Sequence, residues 1–491
     1  MTGELPPELK AQGVDIEIVT PCYGRSLQNN PYFSDLPVAH EYFIGFHGSQ
    51  EHVSILRTEL QGVPLNLLRN STYFETDYSE DAGKRPFEDW NLFRKDYSRP
   101  YVDSDQIPFY DDALRFSFFC EACLPLILKK DPDIVHVNDW VLGYLMALMK
   151  ISGMHQKRIL TIHNVGYQGN IYLGLIQGWK IRQIVEHKVT GPLFADPRAG
   201  WHSVNALRLA MELAHRTNTV SPTYKKEITR PEDQSRFFEG GKGLHEVAAR
   251  LDHQGKLHGI LNGFRYQFTP DEARFENILN EKLRMKAALT REFSEPDALL
   301  LGFVGRAVEQ KFKLLAEELN GRSILEHILD MPGVNITILT TGDPGYETFL
   351  KNLSDRPNLS TVIAYDAKKA RQISLGSDVF LMPSLSEPCG ITQLESLSLA
   401  TPPLVRWTGG LADTVRPHTD ASGTGFGFDG HSREEVLNNL IGVVNEARQL
   451  YTQNRTGFHG LQRSGFYERF LWASSAGEYI EKLYEPALAG A

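Results

Sequence analysis

The sequence contains few cysteines and no long apolar segment. Its 491 residues include four cysteines, too few for a disulfide framework in a chain of this size. We therefore expect a reducing, cytoplasmic environment. No apolar run approaches the roughly 20 residues that a membrane-spanning helix needs, and no signal-peptide pattern opens the sequence. We expect no membrane partner.

The chain also lacks an excess of positive charge. It has 51 Lys+Arg against 61 Asp+Glu, which gives a net charge of −10. A balance of this sign argues against nonspecific binding to nucleic acid or to an anionic membrane surface.

Hydrophobic residues make up 41% and charged residues 23% of the chain, values typical of a globular protein. The length favours two large domains.

Cys120 and Cys123 form a C-x-x-C pattern inside the apolar segment 114–124. At this spacing the two side chains lie on one face of a helix. We expect them to be buried thiols. A metal or redox role is the alternative, but a closed zinc site needs four ligands and no second ligand pair is visible.

Apolar strands alternate with helical patterns in two series. The first predicts helices over 113–129, 140–152 and 204–214, and strands over 134–138, 158–163 and 217–220. The second predicts strands over 299–305, 335–339, 360–364, 379–382 and 403–406. Such alternation is typical of parallel sheets. We predict an α/β protein with two doubly wound, Rossmann-like domains whose strand carboxyl ends face a shared cleft.

Other stretches fit this rhythm less well. Residues 30–112 predict strands with long surface loops, one of them over 87–93, and between 223 and 275 the periodicity fades as if the chain were leaving the first domain. Residues 1–13 resemble the end of a helix with a Gly13 cap, followed by a strand over 14–20. A doubly wound domain normally begins with a strand and a glycine-rich turn, and we expect both to be missing here.

The stretch Ser384–Glu395 predicts a buried strand that turns into a helix. Glu387 and Glu395 stand at the two ends of the turn. The amides around Gly390 and Thr392 open the helix, where free N–H groups and the positive end of the helix dipole accumulate. Such a corner suits a sugar diphosphate.

Polar groups follow several other predicted strands. These groups are His136, Asn138, Asp139 and Trp140; His163 and Asn164; Arg306 and Lys311; and the glycine turn after Thr408, Gly409 and Gly410. The set combines cations, amide donors and carboxylates. It could stabilise a departing nucleoside diphosphate while holding a sugar.

Each of these signals also has a purely structural interpretation. Arg306 and Lys311 could be a solvated surface pair, and His163 a loop histidine. Asp139 could cap the next helix, and Gly409-Gly410 could be a tight turn. Their joint occurrence at successive strand ends favours a functional site.

Several motifs give the chain a resemblance to the bacterial glycogen synthase and plant starch synthase family of retaining glycosyltransferases. They follow the family's order along nearly the whole chain: Asp133–Trp140, Thr161–Asn164 with Tyr167–Gly169, Thr219–Tyr224, Gly259–Gly263, Val304–Arg306 with Gln310–Lys311, Ser384–Gln393 and Thr408–Val415. The resemblance implies the GT-B fold. It also implies an acceptor-side domain over 1–265, a nucleotide-sugar domain over 266–465, and a C-terminal helix over 466–491 that packs back on the first domain.

The resemblance implies transfer of glucose from ADP-glucose to the 4-hydroxyl at the non-reducing end of an α-1,4-glucan, with retention and without a cofactor or metal ion. The catalytic group would be Glu387, His163, Asp139, Arg306 and Lys311. The two cations would hold the diphosphate and Glu387 would bind glucose hydroxyls. The implied donor-site residues are Arg306, Lys311, Asn262, Tyr365 (stacked on adenine), Glu387, Gly390, Ile391, Thr392, Glu395 (at the ribose), Thr408, Gly409 and Gly410.

The sequence also departs from the family pattern. The family opens with a strand and a Lys-x-Gly-Gly-Leu loop, and Met1 aligns just after that loop. Arg265 replaces an acid, Phe268 replaces a Trp-Asn pattern, Phe312 stands where glycine is typical, and segment 231–250 differs from the usual glycine-rich loop. These departures leave two alternatives open: a non-catalytic glucan-binding or regulatory relative, or a transferase for UDP-glucose or another acceptor.

Overall fold

Two sets of parallel strands, one in each half of the chain, organise the computed structural model, which describes residues 3–76, 110–172, 181–198 and 200–490. The strands described in the first half are β1 (Ile18–Pro21), β2 (Val38–Phe46), β3 (Ser49–Leu60), β4 (Val63–Arg69), β5 (Ile134–Asn138), β6 (Lys157–Ile162), β7 (Asn170–Tyr172), β8 (Ala195–Asp196), β9 (Gly200–Asn205), β10 (Arg216–Thr219) and β11 (Leu257–Gly259).

The first-half strands form separate sheets. One has the order β1-β4-β3-β2, with β1 parallel to β4 and antiparallel pairs elsewhere. A second has the order β11-β10-β6-β5 and is parallel throughout. A small third sheet has the order β7-β9-β8. Within the described ranges no strand joins β1 to β5, and an ion pair of 2.8 Å between Lys130 Nζ and Glu17 Oε1 connects the segments just before them.

Helices cover these sheets, and side chains from both four-stranded sheets share one hydrophobic core. The first-half α-helices are α1 (Leu5–Ala11), α2 (Gly24–Asn29), α3 (Pro31–Ser34), α4 (Tyr110–Lys130), α5 (Gly143–Ile151), α6 (Ile181–Glu186), α7 (Gly191–Phe194), α8 (Ala206–Leu213), α9 (Pro222–Ile228) and α10 (His245–His253). The start of α9 follows from its sequence, because the Ser221 side chain accepts from Tyr224 N–H and Pro222 occupies the first turn.

The strands described in the second half are β12 (Leu299–Ala307), β13 (Glu318–Leu319), β14 (Arg322–Ser323), β15 (Val334–Gly342), β16 (Leu359–Ile363), β17 (Val379–Met382), β18 (Pro403–Arg406) and β19 (Phe426–Phe428). Six of them form a continuous parallel sheet in the order β16-β15-β12-β17-β18-β19, and β13 and β14 form a small hairpin. Strand β12 pairs with β15 over nine residues.

The remaining helices pack on the second sheet or return to the first half. They are α11 (Glu272–Leu289), α12 (Glu309–Ala316), α13 (Ile324–Leu329), α14 (Pro344–Asn352), α15 (Ala367–Gly376), α16 (Thr392–Ser398), α17 (Gly409–Thr414), α18 (Arg433–Gln453), α19 (Arg455–Tyr467), α20 (Trp472–Tyr479) and α21 (Glu485–Leu488). Trp472, Tyr479 and Leu483 lie in one apolar cluster with Leu5 and Leu9 of α1. The C-terminal segment therefore returns to the first half, as predicted.

Most predicted elements agree with the structure. Strands 134–138, 379–382 and 403–406 match to the residue, and helix 113–129 is α4. The predicted helix 140–152 begins as a 3-10 turn before α5, and the predicted C-terminal helix within 466–491 is α20, a π-helical turn and α21. The domain boundaries at 265 and 465 stay predictions.

The sequence pattern missed the regularity of two regions. Residues 38–69 form the long antiparallel meander β2-β3-β4 rather than short strands with long loops. Its turns, His47-Gly48 and Gln61-Gly62, have positive φ at both residues, the arrangement that matches the twist of paired strands. Within 223–275, α9, α10 and β11 still belong to the first half. The predicted loop 87–93 lies outside the described residues.

The thiols of Cys120 and Cys123 are buried, as expected, and burial raises the pKa of Cys123 to about 12. Within the described residues no cluster of three or more His, Cys, Asp and Glu side chains could hold a metal ion. No helix in these ranges is long and apolar enough to cross a membrane.

Candidate active site

The turn from β17 into α16 is held in shape by its own residues. Gly390 has φ of +71°, a conformation that favours glycine. The Gln393 side chain is buried and its Nε2 donates to the carbonyls of Cys389 at 3.0 Å and Gly390 at 3.2 Å. The turn is therefore rigid at the point where it presents Glu387.

A cation and a carboxylate lie side by side at the carboxyl edge of the second sheet. Lys311 Nζ of α12 is 3.5 Å from Glu387 Oε2, with 36% and 11% of the two side chains exposed. Ser384 Oγ donates to the same carboxylate oxygen at 3.4 Å. Arg306 is exposed near the end of β12, the strand next to β17. The structure thus brings Lys311 and Glu387 together with Arg306 at the same sheet edge.

The Thr408–Gly410 turn is engaged by a residue that the sequence interpretation did not single out. Glu227 of α9, in the first half, accepts from Gly409 N–H at 2.9 Å and from Thr408 Oγ1 at 3.0 Å. Gly410 N–H donates to the carbonyl of Glu387 at 3.0 Å. The Thr408 hydroxyl and the N–H groups of Gly409 and Gly410 are therefore occupied within the protein in this structure.

Burial raises the pKa of Glu227 to about 7. The hydrogen bonds from Gly409 and Thr408 and the charge of Arg406 oppose this rise, whereas the Asp413 carboxylate adds to it. Glu227 is thus a carboxyl group that titrates near neutral pH at the contact between the two halves.

Two further side chains of α9 and its cap contact the second half. Ser221 Oγ donates to the Pro388 carbonyl at 2.6 Å. Thr223 donates to Asp413 twice, from its backbone N–H at 2.8 Å and from Oγ1 at 2.7 Å. The helix that the Ser-Pro-Thr-Tyr sequence starts is therefore fixed directly to both functional turns of the second half.

Arg406 makes another contact between the halves. Its guanidinium is buried and donates to the carbonyls of Phe237 and Arg236, both at 2.8 Å, and to Asp429 at 3.1 Å. Phe237 belongs to the hydrophobic core of the second half. Segment 231–250, which departs from the family pattern, thus inserts a side chain into the opposite half.

In the first half, Asp139 and His163 lie together at the ends of β5 and β6. His163 N–H donates to Asp139 Oδ1 at 2.7 Å, and its ring Nε2 is 3.0 Å from Asn138 Oδ1. Asp139 has φ of +55°, an uncommon conformation for a residue other than glycine. Burial raises the pKa of Asp139, against the opposing effects of His163 and of backbone hydrogen bonds. The structure shows no helix cap by the Asp139 side chain, the structural alternative.

A buried polar chain runs from this strand edge to the C-terminal segment. Thr161 Oγ1 donates to Asn218 Oδ1 at 2.7 Å, so it accepts from His136 Nε2, also at 2.7 Å. His136 Nδ1 then accepts from Tyr484 OH at 2.8 Å. Burial lowers the pKa of His136 to about 3, which keeps this imidazole neutral. Asn218 Nδ2 in turn donates to Tyr479 OH at 3.0 Å.

Asn262 is buried beside the second half. Its Oδ1 has no hydrogen-bond partner among the residues that the structure describes. Burial raises the pKa of Cys389 to about 12, and a backbone hydrogen bond from Asn262 opposes that rise. A buried acceptor without a donor is unusual and suits a ligand hydroxyl.

The remaining predicted donor-site residues lie around the second sheet. Tyr365 follows β16 and its side chain is 92% exposed. Ile391 is exposed before α16, and Thr392 is the first residue of that helix. Burial raises the pKa of Glu395, and Arg371 opposes it. The roles predicted for these residues stay predictions.

The sequence departures have structural partners. Arg265 pairs with Glu4 of the helix α1 region at 3.6 Å. Phe268 stacks on Phe466 with ring centres 5.8 Å apart. Phe312, which follows Lys311 in the sequence, is fully buried in the core of the second half. Phe268 and Phe312 therefore act in packing, whereas Arg265 forms an ion pair at the surface.

The comparisons with known proteins agree with this architecture. A family model described as starch synthase catalytic domain matches residues 1–250, and one described as glycosyl transferases group 1 matches residues 292–455. A glycogen synthase from Exiguobacterium sibiricum is 31% identical, covering 98% of this chain and 93% of the relative. A glycogen synthase from Lactococcus lactis is also 31% identical, covering 99% and 95%.

Two solved structures share the fold. The catalytic domain of starch synthase IV from Arabidopsis thaliana, bound to ADP and acarbose, has a TM-score of 0.74 at 24% identity, covering 99% of this chain and 96% of that one. Sucrose-phosphate synthase from Thermosynechococcus elongatus has a TM-score of 0.54 at 15% identity, covering 99% and 92%. The chain belongs to the glycogen synthase and starch synthase family of glycosyltransferases and has the GT-B fold.

Proposed function

We propose that this protein transfers glucose from ADP-glucose to the 4-hydroxyl at the non-reducing end of an α-1,4-glucan, with retention. The observation that carries the proposal is the pairing of Lys311 Nζ with Glu387 Oε2 at 3.5 Å, at the sheet edge where β12 also carries Arg306, one residue before its end. Two cations suit a diphosphate, and a fixed carboxylate suits sugar hydroxyls. The names of the relatives, and the ADP bound to the plant starch synthase, support this donor.

In this proposal Arg306 and Lys311 hold the diphosphate and neutralise its charge as it leaves. They supply the positive charge for which other transferases use a metal ion, so we propose that none is needed. Glu387 positions the glucose. Glu395 contacts the ribose, and the exposed ring of Tyr365 stacks on the base.

We propose that the first half supplies the groups around glucose and the acceptor. His163 and Asn262 lie by the glucose, and Asp139 lies on the acceptor side. The buried, unpartnered Oδ1 of Asn262 supports this role, since a sugar hydroxyl would satisfy it. The free, buried cysteines also support a cytoplasmic location.

The test is glucose transfer by the purified full chain to glycogen, with ADP-glucose and UDP-glucose offered separately. We expect transfer from ADP-glucose at the higher kcat/KM. The Lys311→Ala variant should lose about 100- to 1,000-fold in kcat, because the departing diphosphate loses a cation. Lys313→Ala is the matched control, because Lys313 lies on the same helix but pairs with Glu309. No transfer from either donor would refute the proposal.

A second candidate function is glucan binding without catalysis. The observation that favours it is the division of the first-half strands into two four-stranded sheets, with no described strand between β1 and β5. A protein of this kind would bind glycogen in a sedimentation assay and release no ADP from ADP-glucose. Turnover that depends on Lys311 would exclude it.

A further inference from the structure

The contact between α9 and the second half concentrates on residues next to the candidate donor site. Glu227, Thr223 and Ser221 together make five hydrogen bonds to Thr408, Gly409, Asp413 and Pro388. Of these, the two made by Glu227 hold the residues at the start of the Thr408–Gly410 turn. This turn lies against the Glu387 main chain.

Gly409 shows how closely the turn and Glu387 approach each other. Its φ is +45°, and a Cβ atom added there would lie 2.0 Å from the Glu387 carbonyl oxygen. That position admits no side chain unless the backbone moves. Gly410 N–H donates to the same carbonyl oxygen at 3.0 Å and also to that of Pro388 at 3.2 Å.

These bonds form a continuous connection. The Glu227 carboxylate accepts a hydrogen bond from Gly409 N–H, and the following Gly410 N–H donates to the Glu387 carbonyl. The Glu387 side chain in turn lies beside Lys311. Thr408, Gly409 and Gly410 are all buried. Because their donors are already satisfied inside the protein, these groups fit a supporting role better than a direct grip on the donor.

We propose that Glu227 is a positioning residue for glucosyl transfer, which from the first half fixes the Thr408–Gly410 turn and, through it, the place of Glu387 in the second half. This inference rests on the proposed function. It makes productive placement of Glu387 depend on contact between the halves, because Glu227 lies in the first half and Glu387 in the second.

The charged and titratable groups that face Glu227 come from several elements. Arg406 of β18 and Asp413 of α17 act on it from the second half. Within the first half, the charge of Glu227 helps to raise the pKa of Tyr224 of α9. The charge of Arg236, in the neighbouring loop, helps to lower the pKa of Arg406. None of these groups replaces the two hydrogen bonds that Glu227 accepts.

The test compares Glu227→Ala, Glu227→Gln and the control Glu232→Ala, which removes an exposed carboxylate nearby. Alanine removes both acceptor bonds, so we expect kcat to fall by roughly 10- to 100-fold, the effect of a small misplacement of a reacting group. KM for glycogen should stay unchanged. Glutamine keeps a side-chain oxygen that accepts both bonds and should restore most of the rate. The control should match the wild-type protein.

Amide hydrogen exchange provides a readout that does not depend on turnover. In Glu227→Ala, exchange should be faster in peptides that contain residues 408–410 and 387–390, whereas Glu227→Gln should retain protection. Unchanged exchange at 387–390 in the alanine variant would overturn the inference, as would a wild-type kcat. If the wild-type chain transfers no glucose, the proposed function fails, and the exchange result alone decides whether Glu227 positions Glu387.

Discussion

The two halves of the chain build their parallel sheets differently. In the second half, six strands form one continuous sheet around β12, which pairs along nine residues with β15. In the first half, eight of the described strands form two four-stranded sheets that meet through side chains and a shared core, and the other three form the small sheet β7-β9-β8. Backbone hydrogen bonds thus unify the second half, whereas side-chain packing unifies the first.

The C-terminal residues of the chain pack on the first half, whose sheets are joined by side chains. Trp472 and Tyr479 pack with Leu5, Leu9 and Ile159, so a segment from the far end of the sequence completes the first-half core. The candidate site reflects the same division. Glu387 and Lys311 lie beside the carboxyl edge of the continuous sheet, and Ser221, the cap of α9 in the first half, donates to the carbonyl of Pro388, the residue after Glu387.

The largest expected effect tests this dependence on the C-terminal segment. Trp472→Ala removes a buried side chain from the cluster that joins α20 to the first half, and should lower the free energy of unfolding of that half by about 3–5 kcal/mol. Denaturant unfolding should show an early transition. Hydrogen exchange should place it in the first half.

Phe458→Ala provides the matched comparison, because Phe458 is buried in the core of the second half. It should destabilise that half by a similar amount and leave exchange at β5 and β6 unchanged. If both variants unfold the whole chain in one transition, the two halves form one cooperative unit and the contrast between them has no energetic consequence.

The next effect concerns the Thr408–Gly410 turn of the second half, which donates hydrogen bonds to Glu227 of the first half. Gly409→Ala places a Cβ atom 2.0 Å from the Glu387 carbonyl oxygen, so the turn or the Glu387 main chain must move. We expect kcat to fall by about 100-fold, the order of loss expected for a displacement of this size. A steady-state assay with ADP-glucose and glycogen measures it.

Gly442→Ala is the control for this glycine. It lies within α18, and an added Cβ would meet nothing within 4 Å. Alanine is the better helix former, so this variant should gain about 1 kcal/mol in stability and keep its activity. Equal activity of the two variants would show that the Thr408–Gly410 turn does not constrain Glu387.

The second half was the more predictable from sequence, for a physical reason. Strands such as 379–382 and 403–406 are buried on both faces and therefore read as short apolar runs with clear ends. In the first half, β2 alternates exposed and half-buried residues, and β3 begins with four polar ones. Because of that pattern, the long antiparallel pair of β2 and β3 could not be recognised from the apolar residues. The glycines of the two hairpin turns were the signal that could have revealed it.

The candidate site divides in the same way. Arg306, Lys311 and Glu387 follow strands of the continuous sheet, so their neighbourhood could be predicted from strand order. Glu227 could not, because Lys225-Lys226-Glu227 resembles a solvated helix face and its partner Gly409 lies 182 residues later. A contact across two domains leaves no periodic signal in the chain.

The pH dependence of stability should sharpen the role of this contact. Because the pKa of Glu227 is raised to about 7 in the folded protein, its contribution to stability is fully present below its usual value of 4.5 and is lost as the pH rises through about 7. The Tm of the wild-type protein should therefore fall relative to the Tm of Glu227→Gln between pH 4.5 and pH 7.5. Parallel curves would contradict the prediction.

The smallest effect concerns one hydrogen bond between the C-terminal segment and the first-half sheet. Since Thr161 donates to Asn218, the His136 ring must donate from Nε2 and accept from Tyr484 at Nδ1. Tyr484→Phe leaves that buried acceptor unpaired and should cost about 1–2 kcal/mol. Tyr467→Phe, which removes an exposed hydroxyl, should cost far less. Thermal unfolding measures both. Equal losses would mean that the hydrogen bond from Tyr484 to His136 does not help to hold the C-terminal segment to the first half.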